Sequence, residues 1–187
     1  MAAQNYSTEI AIIGGGVGGC AAAFSALEAG AQVILTEETI WIGGQLTSQG
    51  VPPDEHGWIE RFGRTASYAR FRKAVRHYYR EHYPLRSECC DDPKLNPGNG
   101  WVSPICHEPK VALAVLKAML APYRESGQLQ VLLETTPTSV DLGHNDTITA
   151  VKLTHRDGRE IRIEAPYFLD ATELGDLIAL SGTESLT

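Results

Sequence analysis

An α/β fold built on a parallel sheet is the class this sequence predicts, and three observations predict it. The run Glu9-Ile10-Ala11-Ile12-Ile13 is short, apolar and β-branched, the composition of a strand buried on both faces of a sheet. A glycine cluster from Gly14 to Gly19 follows at once, and an alanine-rich stretch leads on to Ala29. A second buried run, Ala31-Gln32-Val33-Ile34-Leu35, then ends in Glu37 and Glu38. Strand, tight turn, helix and strand within about thirty residues is the length of one βαβ unit. Such crossovers are right-handed and belong to parallel sheets.

Each later element has its own signal. Cys20 to Ala29 reads as a helix closed by Gly30, a glycine just past the C-cap. Trp41 to Gly57 holds four glycines and two prolines and reads as a loop. From Trp58 to Tyr83 the pattern is helical, with a break at Gly63. Glu88 to Pro109 carries four prolines and several turn formers, an ordered surface excursion. Pro109 to Ala121 is a helix with proline in its first turn and Pro122 as its stop. Gln128 to Leu133 is a strand, and Ile148–Leu153 and Arg159–Glu164 form a hairpin through Asp157-Gly158. Tyr167-Phe168-Leu169 is a last apolar strand, and Asp170 to Leu180 a turn entering a helix. The organisation is therefore a βαβ unit over 1–50, a helical and looped insertion over 51–108, and a helix, a small antiparallel hairpin or meander and a return strand over 109–187.

Composition narrows the function. A chain of 187 residues with 43% hydrophobic and 21% charged residues can bury a real core, which excludes a disordered tail and a disulfide-stapled miniprotein. A net charge of −7 argues against general nucleic-acid affinity. Four cysteines are too few for a disulfide scaffold. The opening MAAQNYSTEI has no basic n-region, and no apolar run approaches the roughly 18–20 residues of a membrane span. The expectation is a cytoplasmic protein that engages neither membrane nor nucleic acid.

The glycines carry the most specific motif. Gly14-x-Gly16-x-x-Gly19 sits between a strand and a helix, and each glycine has a mechanical reason. The first permits the sharp turn, the second lets backbone approach a pyrophosphate, and the third lets helix and strand pack closely. The helix N-terminus offers free N–H groups and a partial positive charge to phosphate. Glu37, eighteen residues beyond Gly19, can accept hydrogen bonds from both ribose hydroxyls and would repel a 2′-phosphate. The pattern is a Rossmann-like dinucleotide fingerprint, and its spacing alone leaves FAD and NAD open.

The run IAIIGGGVGGCAAAFSALEAGAQVILTEE, with Ile42-Gly43-Gly44-Gln45 after it, resembles the N-terminus of FAD-dependent oxidoreductases of the glutathione-reductase type. The strings NPGNGWVSPICHEPKVALAVL and YFLDATELGDLIALSG resemble a narrower group within them, typified by a DATGDGDL-like segment. The resemblance spans nearly the whole chain and implies FAD as cofactor. It places Ile13, Gly14, Gly16, Val17, Gly18 and Gly19 at the pyrophosphate, Glu37 and more weakly Glu38 at the adenosine ribose, and Gly43, Gly44 and Gln45 beside the ribityl chain and flavin edge. It sets Thr136-Pro137-Thr138 by the adenine, where Pro137 lacks an N–H to offer. Ala171 and Thr172 match the first two positions of the family's Ala-Thr-Gly turn, and Glu173 replaces its glycine. A side chain at Glu173 is expected to crowd or repel phosphate. The sequence ends at Thr187, just after the Asp170 turn, so the resemblance implies an incomplete FAD-binding domain without the substrate domain, with weakened FAD binding and little turnover by this chain alone.

Other constellations have plainer readings. Trp58 to Arg86 holds eight of the sixteen basic residues, only Glu60 and Glu81 as acids, and seven of the fourteen aromatics. Tyr68, Phe71, Val75, Tyr78 and His82 recur at helical spacing, so the aromatics read as a core stripe beneath an arginine-rich face. Cys89-Cys90 and Cys106-His107 match no common zinc spacing. Cys20 reads as a packing residue, His56 and His107 as loop histidines, and Asp54-Glu55 as a solvated turn. The expected function is a flavoprotein oxidoreductase acting on a small-molecule substrate, with a homo-oligomer left open. An NAD-binding dehydrogenase and a non-enzymatic nucleotide-binding fragment are the alternatives.

Overall fold

The computed structural model describes residues 4–184. Residues 1–3 and 185–187, the two ends of the span assigned to the FAD-binding portion, lie outside the described residues. The chain divides into two compact units, the first made of residues 4–42 and 122–184 and the second of 43–121.

The first unit is built on two four-stranded sheets. Strand β1 (Gln4–Ser7) is polar and short, and β2 (Ile10–Ile13) is apolar, with Ala11, Ile12 and Ile13 fully buried. Helix α1 (Val17–Glu28) follows the glycine turn, and β3 (Val33–Thr36) is buried along its whole length. Gly30 closes α1 with φ +93°, its N–H on Leu27 O and the Ala31 N–H on Ala26 O, the paired C-terminal bonds of a Schellman motif. The helix starts three residues earlier than its alanine content suggests, because Val17, Gly18 and Gly19 are themselves helical.

The second unit holds α2 (Gln45–Ser48), α3 (Ala66–His82), α4 (Ser87–Cys90) and most of α5 (Pro109–Glu125). Two helical expectations are corrected here. The 58–64 stretch is turns and bends, and α3 begins after Gly63 (φ +80°), where the Thr65 hydroxyl accepts from Tyr68 N at 3.2 Å. Pro122 does not stop α5: the helix runs through it to Glu125. Pro122 is exposed, so water can take the Ala118 carbonyl that a proline leaves without an N–H. Replacing Pro122 by Ala is expected to raise stability by about 1–3 kcal/mol, read as a higher unfolding midpoint.

Returning to the first unit, β4 (Leu129–Leu132) pairs with β3. Strands β5 (Thr135–Leu142), β6 (Ile148–His155) and β7 (Glu160–Glu164) form an antiparallel meander, and β1 adds to it in parallel beside β7. The 156–159 hairpin turns at Gly158, φ +87°. Strand β5 was not expected, since Pro137 argues against a strand interior. It lies at the sheet edge with a register shift after Pro137, the setting that tolerates proline. Strand β8 (Tyr167–Asp170) pairs in parallel with β2, and α6 (Asp176–Ser181) ends the described elements. The core joins both sheets: Ala11, Ile13 and Ile34 cluster with Val151, Leu153, Ile161, Ile163 and Leu177.

Candidate functional site

The parallel sheet runs in the order β4-β3-β2-β8. The chain steps outward from β2 to β3 to β4, then comes back to pair β8 on the other side of β2. The order therefore reverses at β2, and ligands of open α/β sheets bind outside the carboxyl ends of the strands at such a switch point. Cross-strand register puts Leu132, Thr36, Ile13 and Asp170 in one row at that carboxyl edge. The fingerprint leaves the edge directly from Ile13, and the 171–175 turn leaves it from Asp170.

The glycines meet different constraints. Gly14 has φ +105°, and a Cβ there would lie 2.2 Å from the Ala171 carbonyl oxygen. A Cβ on Gly19 would lie 1.9 Å from the Gly14 carbonyl oxygen. One on Gly16 would meet only Glu173 Oε1, at 3.1 Å, and one on Gly18 nothing within 4 Å. Gly14 and Gly19 are thus demanded by the packing of the turn, whereas the approach to the Gly16 backbone is met only by the end of one flexible side chain, that of Glu173. No side chain caps α1, so the N–H groups of Val17, Gly18 and Gly19 have no partner within the helix and point to the approach. Cys20 is buried and its thiol donates to the Gly15 carbonyl at 3.3 Å, tying the turn to the helix.

Glu37 is buried beside this turn. Its Oε2 accepts from Gly15 N at 3.0 Å and its Oε1 from Thr39 N at 2.9 Å, while Thr36 Oγ1 accepts from Gly14 N at 3.3 Å. The carboxylate is fixed in place by backbone donors, and each oxygen keeps acceptor capacity for a hydroxyl. Glu38 next to it is exposed. Thr135 N donates to the Glu37 carbonyl at 3.0 Å, which brings the start of β5, and Pro137 two residues on, to the Glu37 segment.

Ala171 N donates to Ile13 O at 2.7 Å and so continues the β2–β8 ladder into the turn. Sequence reasoning assigned nothing to Asp170, yet it organises this corner. Its Oδ1 accepts from Thr172 N and Oγ1 at 3.1 and 2.8 Å, and its Oδ2 accepts from Leu177 N and Ile178 N at 2.8 and 3.3 Å. One carboxylate holds the turn and the first turn of α6 together. An Asp at the end of a strand, a few residues ahead of an apolar helix, was the available signal.

Gly43, Gly44 and Gln45 belong to the second unit. Gly43 (φ +105°) packs its backbone against Leu116 and Thr47, where a Cβ would lie 2.6 and 2.7 Å from their side chains. Gly44 (φ +47°) is the N-cap of α2, and Gln45 is exposed.

The same unit contains a polar core that sequence reasoning misplaced. Asp54-Glu55 is not a solvated turn throughout: the Glu55 side chain is 3% exposed and ion-paired to Arg72, itself 2% exposed. Arg72 also pairs Glu60, which Arg76 shares, and Arg76 Nε donates to Leu95 O at 2.8 Å. The buried stripe of α3 is Phe71, Val75 and Tyr79 with Arg72 and Arg76 among them, not Tyr78 and His82 beneath an arginine-rich face. Burial pushes the Tyr68 hydroxyl well above its ordinary value, and the Glu55 carboxylate it donates to adds to that. Burial also works to raise the pKa of Glu60, but hydrogen bonds and charge from Arg76 and Arg72 prevail and hold it low. Burial depresses His107, whose ring stands edge-on to Phe71. Tyr83 is held up at about 12 by its bond to Glu108. Glu55 Oε2 and His107 Nε2 are buried without a hydrogen-bond partner. Among the described residues, no three His, Cys, Asp or Glu side chains gather where they could hold a metal ion, and no helix is long and apolar enough to cross a membrane.

The sequence matches the family model described as FAD dependent oxidoreductase over residues 9–187. The chain belongs to that family. The match decides between the two cofactors the fingerprint leaves open: the family's cofactor is FAD. No curated protein sequence matches the chain. Among solved structures, the Mycobacterium smegmatis Sdh1 complex in the apo form is 16% identical, with a TM-score of 0.54, over 88% of this chain and 34% of that one. The open conformation of a flavocytochrome c3 fumarate reductase is 14% identical, with a TM-score of 0.51, over 88% and 33%. L-proline dehydrogenase from P. horikoshii is 19% identical, with a TM-score of 0.47, over 92% and 24%. This FAD dependent oxidoreductase chain thus spans about a quarter to a third of those structures, and the first two likenesses speak to its fold. The carboxyl edge of the first unit has groups that suit the adenosine and diphosphate of FAD: an uncapped helix N-terminus, a Gly16 backbone approached only by the end of the Glu173 side chain, and a Glu37 carboxylate held by backbone donors.

Proposed function

We propose that this chain forms the adenosine and diphosphate half of the FAD site in a flavoprotein oxidoreductase of the glutathione-reductase type. The observation that carries the reading is the uncapped N-terminus of α1 at the switch point, with Glu37 anchored by the same turn. The N–H groups of Val17, Gly18 and Gly19 and the helix dipole take the phosphate oxygens. Glu37 accepts the ribose hydroxyls, and its bond to Gly15 N sets ribose and phosphate in register. On the family resemblance, Thr136, Pro137 and Thr138 are assigned to the adenine, Ala171 and Thr172 to the turn, and Gly43, Gly44 and Gln45 to the ribityl and flavin edge. FAD, when bound, supplies two-electron oxidation of a small organic substrate. The residues named here hold and orient it. All four cysteines are free, which suits a reducing compartment such as the cytoplasm.

The purified chain is expected to carry flavin, seen as absorbance near about 450 nm that is released on denaturation. In titrations it should bind FAD more tightly than NADH. The reverse order makes it an NAD-binding module, and binding of neither leaves no nucleotide function. Glu37→Gln swaps one acceptor oxygen for an amide N–H₂ facing Gly15 N or Thr39 N. Adenosine binding should weaken by about 1–3 kcal/mol, the worth of a charge-assisted bond. Unchanged affinity removes Glu37 from the site.

A further inference from the structure

The first unit sets two carboxylates around its phosphate turn. Glu37 Oε2 sits on Gly15 N, and Glu173 Oε1 stands over Gly16, 3.1 Å from where a Cβ on that glycine would be. Gly16 is the N-cap of α1, and the helix dipole draws a carboxylate to that spot as it would draw phosphate. Glu173 is exposed, so its carboxylate can move away from the turn without losing a buried contact. Four of the unit's five Lys and Arg side chains are paired elsewhere, Lys152 and Arg162 with Asp141, Arg156 with Glu134 and Arg159 with Asp157, and the fifth, Arg124, stands in the last turn of α5. An incoming diphosphate, with two negative charges, meets backbone donors and two acids.

We infer that Glu173 is an anionic gate on the dinucleotide turn, a specificity residue that weakens FAD binding by charge and must swing out for the diphosphate to seat. This rests on the FAD reading above. The Glu37 carboxylate cannot play this part, because two backbone N–H groups hold it at the ribose side. Removing one like charge from beside the diphosphate path is expected to change FAD affinity by about tenfold.

Calorimetric titration of the full chain with FAD and, separately, with adenosine tests it. Glu173→Gln, the same shape without the charge, is expected to bind FAD about tenfold more tightly, and Glu173→Lys more tightly again. Adenosine, which has no phosphate, should bind wild type and both variants alike. The unfolding midpoint checks that each variant is folded; the exposed side chain has no bond to lose. Equal FAD affinity for wild type and Glu173→Gln overturns the gate, as does a gain that adenosine shares. If FAD binds none of the three proteins, the FAD site itself is refuted, a result distinct from equal binding.

Discussion

Gly14→Ala, Gly16→Ala and Gly18→Ala are expected to give three different outcomes from one motif. In Gly14→Ala the methyl lands 2.2 Å from the Ala171 carbonyl oxygen and 2.6 Å from Thr172 N, on a residue with φ +105°. These are backbone atoms, pinned by the Ala171 N–H bond to Ile13 O, and cannot step aside as a flexible side chain would. Overpacking and a strained φ together should cost about 3 kcal/mol or more, lower the unfolding midpoint and abolish FAD binding. Gly16→Ala meets only the end of the Glu173 side chain, so it should unfold at the wild-type midpoint yet lose FAD, because the methyl fills the path to the backbone. Gly18→Ala meets nothing within 4 Å, inside a helix. It should gain about 0.5–1 kcal/mol from the lower conformational entropy of the unfolded chain and keep FAD. Denaturant titrations beside FAD titrations read both axes. A destabilised Gly16→Ala variant with intact FAD affinity contradicts the assignment of Gly16 to the ligand.

How much of this could be read beforehand depended on whether the cause was local. The β2–α1–β3 unit was legible because strand composition, turn glycines and the Gly30 cap all lie within thirty residues and agree. The phosphate turn and Glu37 were legible for the same reason. What held Glu37 was not: its bonds to Gly15 N and Thr39 N depend on β2 and β3 standing side by side. Strand β1 is polar and finds its partner more than 150 residues on, in β7, so no local pattern marks it. Strand β5 was hidden by Pro137, which an edge tolerates. The largest misreading was α3. Periodicity counts arginine as a solvent residue, yet Arg72 and Arg76 turn inward because Glu55 and Glu60, from the preceding loop, neutralise them there. A buried charge is visible only once its partner is known.

That buried pair makes Arg72 the most damaging side chain to remove from the second unit. Arg72→Met is expected to destabilise the protein by about 3–5 kcal/mol, since it strands the Glu55 carboxylate, 3% exposed, beside a Glu60 left with Arg76 alone. Without Arg72 the Glu55 carboxylate keeps only the Tyr68 hydroxyl on Oε1, and its Oε2 has no hydrogen-bond partner. Removing the stranded charge as well should restore much of the loss: Arg72→Met with Glu55→Gln is expected to be clearly more stable than Arg72→Met, because losing both members of a buried pair costs less than losing one. Acid tells the same story through Glu60. Its carboxyl is held below the ordinary 4.5, so its contribution is complete above that value and fades as the pH falls through the lower, folded value. Without Arg72 that depression shrinks, and the acid limb of stability should move to higher pH. Denaturant unfolding of wild type, single and double variants between neutral and acidic pH measures both effects. Equal stability of the single and double variants would mean that the Glu55 charge is not what Arg72 compensates.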